Sequence, residues 1–145
     1  MDFDSWQDKV PEAIRADSLW KMKAYRLALY RSDLCWQDTA AILEQKKFSL
    51  ADQLSRSVGS VSANLAEGYS RSTGRDRALV YQYALGSARE SRDWYFKVRF
   101  ILGADMVEQR FKLLTEIIRL LVTMIPQPRG YLVREDPAPY ETNSP

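Results

Sequence analysis

Apolar residues recur at intervals of three and four along most of this chain. From Ser18 to Glu44, Trp20, Ala24, Leu27, Ala28, Leu34, Cys35 and Ile42 form one stripe, and Tyr25, Leu29, Trp36 and Leu43 form a second beside it. That spacing predicts an amphipathic helix, with Asp17 or Ser18 as its N-cap. Two stripes make a face wider than one neighbouring helix covers, so this helix either lies deep among others or turns its second stripe to another subunit. Gln45-Lys46-Lys47-Phe48 reads as a turn, and Ser49 with Asp52 resembles a capping box at the head of a second helix. Leu50, Leu54, Val58, Val61 and Leu65 give that helix a clean apolar seam, and Gly68 is its expected left-handed stop. A polar, basic loop, Tyr69–Arg75, follows, in which Thr73 and Asp76 again look like a cap and its partner. A third helix is expected from about Arg75 to Leu102, ending at Gly103. The fourth opens on the capping sequence Asp105-Met106-Val107-Glu108 and carries Phe111, Leu114, Ile117, Ile118, Leu121 and Ile125. Four helices joined by short turns predict an all-α, up-down-up-down antiparallel four-helix bundle over residues 18–125.

Breaker residues agree with this reading. Five of the six prolines fall at or beyond Pro126, so the helical region is spared the residue helices tolerate least. Residues 126–145 form a Pro-rich polar tail, expected to be disordered or loosely docked. Residues 1–17 form an acidic N-terminal extension. No apolar run long enough to span a membrane is present, and the acidic start lacks the apolar core of a secretory signal. A cytoplasmic location is therefore expected. The chain has no histidine and one cysteine, which removes Ser–His and Cys–His pairs, the usual neutral-pH base and the Cys/His zinc patterns. The expectation is a non-enzymatic protein without metal or cofactor, in which Cys35 is an inert core thiol.

Charge alters the picture modestly. The net +2 conceals a basic middle: residues 18–125 hold 17 basic and 11 acidic side chains, a net of +6 between acidic ends. Such a distribution suits an anionic partner or simple solvation. Three arginines, Arg71, Arg75 and Arg77, surround Thr73 and Gly74 at the predicted start of the third helix, where free N–H groups and the helix dipole favour phosphate. Lys46 and Lys47 join them as candidate nucleic-acid contacts if the fold brings the two turns together. Trp94, Tyr95, Phe96 and Phe100 are interleaved with Arg92, Lys97 and Arg99, a pattern that fits single-stranded nucleic acid, the core, or a subunit interface. Trp36, Trp94 and Met106, if exposed, would suit a protein partner instead.

Small and polar residues crowd the second helix. Arg56, Ser60, Asn64 and Glu67 share one stripe at spacings of four, four and three, and Gly59, Ser60 and Ala63 would admit a close neighbour. The stripe reads as a polar seam buried against the third helix or as a ligand-binding stripe. The third helix carries Ala84-Leu85-Gly86-Ser87, also suited to close packing, and Glu90, within prospective reach of Arg56. Glu67 and Glu90 are the only acids placed for paired acid–base work, and an arginine beside them would lower rather than raise their pKa values.

The run Gln53, Leu54, Arg56, Ser60, Val61, Asn64, Leu65, Ala66, Glu67 and Gly68, followed by Ala84–Ser87 and Glu90, resembles the four-helix-bundle family encoded in intervening sequences of bacterial large-subunit ribosomal RNA genes. The resemblance covers roughly residues 18–125. It implies a bundle assembled as a homopentameric ring. Accessory variability determinants of diversity-generating retroelements look like relatives of that family, and they are basic pentamers that bind nucleic acid and a reverse transcriptase. The resemblance thus implies an oligomer with RNA or DNA, or another protein, as partner. In this reading the motif residues Arg56, Ser60, Asn64, Glu67, Gly68, Gly86, Ser87 and Glu90 are structural.

Overall fold

The computed structural model describes residues 1–126; the tail expected from Pro126 onward lies, past that residue, outside them. Among the described residues there are seven α-helices and no strand. They are α1 (Phe3–Lys9), α2 (Glu12–Arg15), α3 (Lys23–Glu44), α4 (Phe48–Tyr69), α5 (Gly74–Lys97), α6 (Arg99–Leu102) and α7 (Ala104–Met124), with a 3-10 turn at Ser18–Lys21.

The four long helices bury most of the predicted apolar positions, though not the whole second stripe of α3. α3 packs on α4, α4 on α5, α5 on α7, and α3 meets α7. Two core layers result. One joins Ala24, Leu27 and Ala28 to Val61, Leu65, Tyr81, Ala84, Ala88, Ile117, Ile118 and Leu121. The other joins Cys35 and Ile42 to Ala51, Leu54, Val58, Tyr95 and Leu114. Early α3 thus lies with late α4, early α5 and late α7, so successive long helices run in opposite directions.

Several helix ends differ from the sequence expectation. α3 starts at Lys23 because Asp17 caps the preceding 3-10 turn instead, accepting from the Leu19 N–H at 2.9 Å. α4 starts at Phe48 without a side-chain cap, and Asp52 pairs with Arg56 at 3.8 Å rather than closing a capping box with Ser49. Thr73 does cap α5, accepting from the Asp76 N–H at 3.1 Å. The third helix breaks at Val98, which is 1% exposed, and the short α6 then lays Ile101 and Leu102 on the second core layer. Gly103, at φ +89°, makes the turn into α7, so Asp105 lies inside the first helical turn and does not cap.

Gly68 is not a left-handed stop either. α4 runs through it to Tyr69, and the residue is glycine because the Tyr81 ring presses on it: an added Cβ would sit 2.7 Å from Tyr81 Cε1. Gly59 and Gly86, expected to admit a close neighbour, have nothing within 4 Å of an added Cβ. Gly68→Ala should therefore cost about 1–3 kcal/mol through overpacking. Gly59→Ala should instead gain roughly 0.5–1 kcal/mol by removing backbone freedom from the unfolded chain. Urea unfolding of the two variants checks this, and a loss at Gly59 would mean that another chain lies against it.

The acidic extension is anchored. Trp6, in α1, packs with Phe3, Tyr30 and Trp20, and its indole N–H donates to Asp33 Oδ2 at 2.6 Å. Tyr30 Oη donates to the Met1 carbonyl at 2.8 Å. Leu29 and Leu34 of α3 pack against this cluster, so the extension covers the part of α3's broad apolar face that includes Leu29. Further along the same stripe Trp36 stays 79% exposed and Leu43 45%.

Candidate nucleic-acid interface

Thr73 and Gly74 set the geometry of the arginine loop. By capping α5, Thr73 fixes the chain between Ser70 and the first helical turn, and Arg71, Arg75 and Arg77 all emerge exposed from it. Arg71 pairs with Glu67 at 2.6 Å, one turn back on α4. Arg77 Nε donates to the Arg71 carbonyl at 2.9 Å, which holds its guanidinium over the loop, and it makes no ion pair among the described residues. Arg75 makes no ion pair among the described residues. Chemically, the loop offers planar donors for phosphate at a helix start.

Lys46 and Lys47 do not join this loop. They precede α4, whereas Ser70 follows it, and a 22-residue helix separates its two ends by about 33 Å. Lys46 adopts φ +58° in the tight turn out of α3. Both lysines lie at the end of the molecule where α5 stops and α6 packs on α3. Since both turns flank one helix, the separation was legible in the sequence.

The motif stripe on α4 faces outward. Arg56 is paired locally with Asp52, Ser60 Oγ donates to the Arg56 carbonyl at 2.7 Å, and Asn64 Nδ2 donates to the Ser60 carbonyl at 2.8 Å. Arg56 and Glu67 are exposed, so they are not the buried seam expected between α4 and α5. Gly86 is open and Ser87 half-buried, its carbonyl accepting from Ser91 Oγ at 2.8 Å. Glu90 accepts from the Trp94 indole at 3.3 Å instead of reaching Arg56, and Glu67 pairs with Arg71. Of the interleaved aromatics, Tyr95 is fully buried, Trp94 is half-buried under Lys97, and Phe96 and Phe100 are exposed.

The interior holds a polar network that periodicity alone passed over. Asp38, on α3, receives Arg110 Nε at 2.8 Å, Arg110 Nη2 at 2.9 Å and Tyr95 Oη at 2.6 Å. Burial works against the Arg110 charge, but its hydrogen bond to Asp38 and that carboxylate's field hold its pKa above the usual value. Burial raises the pKa of the Tyr95 phenol strongly, and it raises that of the Cys35 thiol, leaving the cysteine a core group poorly suited to nucleophilic chemistry. Arg31, 1% exposed, lies over the Tyr95 ring at 4.8 Å, and its three nitrogens meet no acceptor among the described residues. No cluster of His, Cys, Asp and Glu suited to a metal ion occurs among the described residues. No helix among them is long and apolar enough to cross a membrane.

Residues 21–124 match the family model of the 23S rRNA-intervening sequence protein. The chain belongs to that family. The resemblance carried by the Gln53–Gly68 motif therefore holds, and the match begins just after Trp20. As a 23S rRNA-intervening sequence protein, the chain also has a solved structural relative. It is similar to a protein of unknown function from the S23 ribosomal protein family of Bacteroides thetaiotaomicron VPI-5482, at a TM-score of 0.66 and 25% identity over 70% of this chain and 94% of that one. No curated protein matches the chain.

Proposed function

We propose that this protein is a non-enzymatic four-helix bundle, assembled as a homopentameric ring in the cytoplasm, that binds structured RNA through Arg71, Arg75 and Arg77. The observation that carries the reading is the exposure of all three arginines on one capped loop, where, among the described residues, Arg71 alone is paired with a carboxylate. A ring multiplies that loop and the +6 charge of residues 18–125, creating a field that one copy lacks. Lys46 and Lys47, at the opposite end, are outside this site.

The test is fluorescence anisotropy of a hairpin RNA, with duplex DNA in parallel, across a salt series. The triple replacement Arg71→Ala, Arg75→Ala, Arg77→Ala should weaken RNA binding by ~10-fold or more and flatten its salt slope as phosphate contacts are lost. Unchanged affinity and slope in that variant would sink the assignment. Light scattering should return about five times the 16.8 kDa chain mass.

One observation favours a second reading, a protein adaptor. Trp36 is 79% exposed beside a groove between α3 and α4 lined by Cys35, Thr39, Ser55, Val58 and Gly59. An exposed indole next to such a groove suits a protein contact. Absence of RNA binding at low salt would move the weight to this face.

A further inference from the structure

A second basic surface lies along α5 and α6, away from the arginine loop. Arg89, Arg92 and Phe96 recur at spacings of three and four, so they share one stripe of α5. Arg99 and Phe100 extend it past the break at Val98. The stripe borders a shallow groove against α7 that Asp93, Phe111 and Thr115 complete. Phe100 is 83% exposed and Phe96 51%. The Arg99 guanidinium lies 3.9 Å from the Phe96 ring centre and 4.2 Å from that of Phe100, and Nη1 donates to the Phe96 carbonyl at 2.9 Å. One cation is thereby fixed between two exposed rings.

Charge around the stripe is predominantly positive. Asp93 is taken up by Lys97 at 2.7 Å, and Glu90 accepts from Trp94. Arg92 reaches Thr115 Oγ1 at 3.4 Å, a neutral partner, and Arg89 makes no ion pair among the described residues. Exposed rings beside unneutralised arginines do not suit an apolar partner, because docking one would desolvate the arginines without replacing their hydration. They do suit unpaired nucleobases, each of which has a π-face, linked by phosphates. Duplex stems keep their bases stacked inside and cannot use the rings.

We propose that the stripe Arg89, Arg92, Phe96, Arg99 and Phe100 is a binding site for single-stranded RNA: Phe96 and Phe100 stack bases while the arginines contact the adjoining phosphates. The site is separate from the Arg71–Arg77 loop and stands or falls independently of it.

The test uses the full chain and a labelled 12-nucleotide oligouridine, followed by anisotropy. Phe96→Ala with Phe100→Ala should weaken binding by ~10-fold or more while leaving the salt slope as it was, since no charge is removed. Phe96→Tyr with Phe100→Tyr should restore affinity by restoring the rings. Arg89→Ala with Arg92→Ala should instead flatten the slope. The replacement of the three loop arginines should leave oligouridine affinity within about twofold. Wild-type chain that fails to bind oligouridine, or a double alanine variant that binds like wild type, overturns the proposal even if hairpin binding through the loop persists. Loss of oligomer mass in the Phe→Ala variant, measured by light scattering, would also overturn it by assigning the face to a second copy of the chain.

Discussion

Asp38→Ala is expected to lower the stability of the fold by about 3–5 kcal/mol, measured by urea unfolding at fixed protein concentration. The carboxylate is fully buried and serves three hydrogen bonds: two from Arg110, 4% exposed along its side chain, and one from Tyr95. Removing it leaves a guanidinium and a phenol in the interior with their desolvation already incurred, and among the described residues Arg110 keeps only Gln109 Oε1 at 2.8 Å. The loss is thus the penalty of an orphaned charge more than the worth of the pair itself. That distinction has its own check. Asp38→Leu combined with Arg110→Met removes both charges, and it should recover most of the loss. A single variant costing less than about 1 kcal/mol would mean that Arg110 swings to another acceptor or to solvent.

Arg31→Met should act in the opposite direction, raising stability by about 1–3 kcal/mol. Arg31 is 1% exposed, yet among the described residues its guanidinium meets no hydrogen-bond acceptor and lies over the face of Tyr95, 4.8 Å away. A desolvated cation–π contact returns about 2 kcal/mol, less than the cost of withdrawing a cation from water. Methionine keeps the unbranched length and a polarisable end against the ring while carrying no charge. The midpoint shift in thermal unfolding, with protein concentration held constant, reads the effect. Destabilisation by Arg31→Met would show that the cation is satisfied by something beyond a single chain, and the same measurement on dissociated protein would then locate it.

Both charged positions lie on an apolar stripe of the sequence. Ala24, Ala28, Arg31, Cys35, Asp38 and Ile42 follow one another at four, three, four, three and four, and Arg110, Leu114, Ile117 and Leu121 do the same on α7. A charge on an apolar stripe is buried if the stripe is, so Asp38 and Arg110 were available as a prospective pair. Periodicity could not say that they meet, because the partners lie 72 residues apart. Nor could it separate Arg31, which meets no carboxylate among the described residues, from Arg110, which meets Asp38.

The local chemistry of the chain determined the four long helices, the Thr73 cap, the turn at Gly103 and the family motif, since each rests on residues a few positions apart. Tertiary structure alone decided the rest. Gly68 is a point of close packing rather than a stop because Tyr81 arrives from another helix. Trp6 anchors an extension whose acidic composition gave no sign of it, because the aromatic ring that receives it sits on α3. The Arg56–Glu67 stripe faces solvent because α5 packs on the neighbouring Leu54–Leu65 seam, and side-chain spacing fixes which residues share a face but not which face is covered. Helix spacing is a property of the backbone, whereas burial is a property of what packs against it.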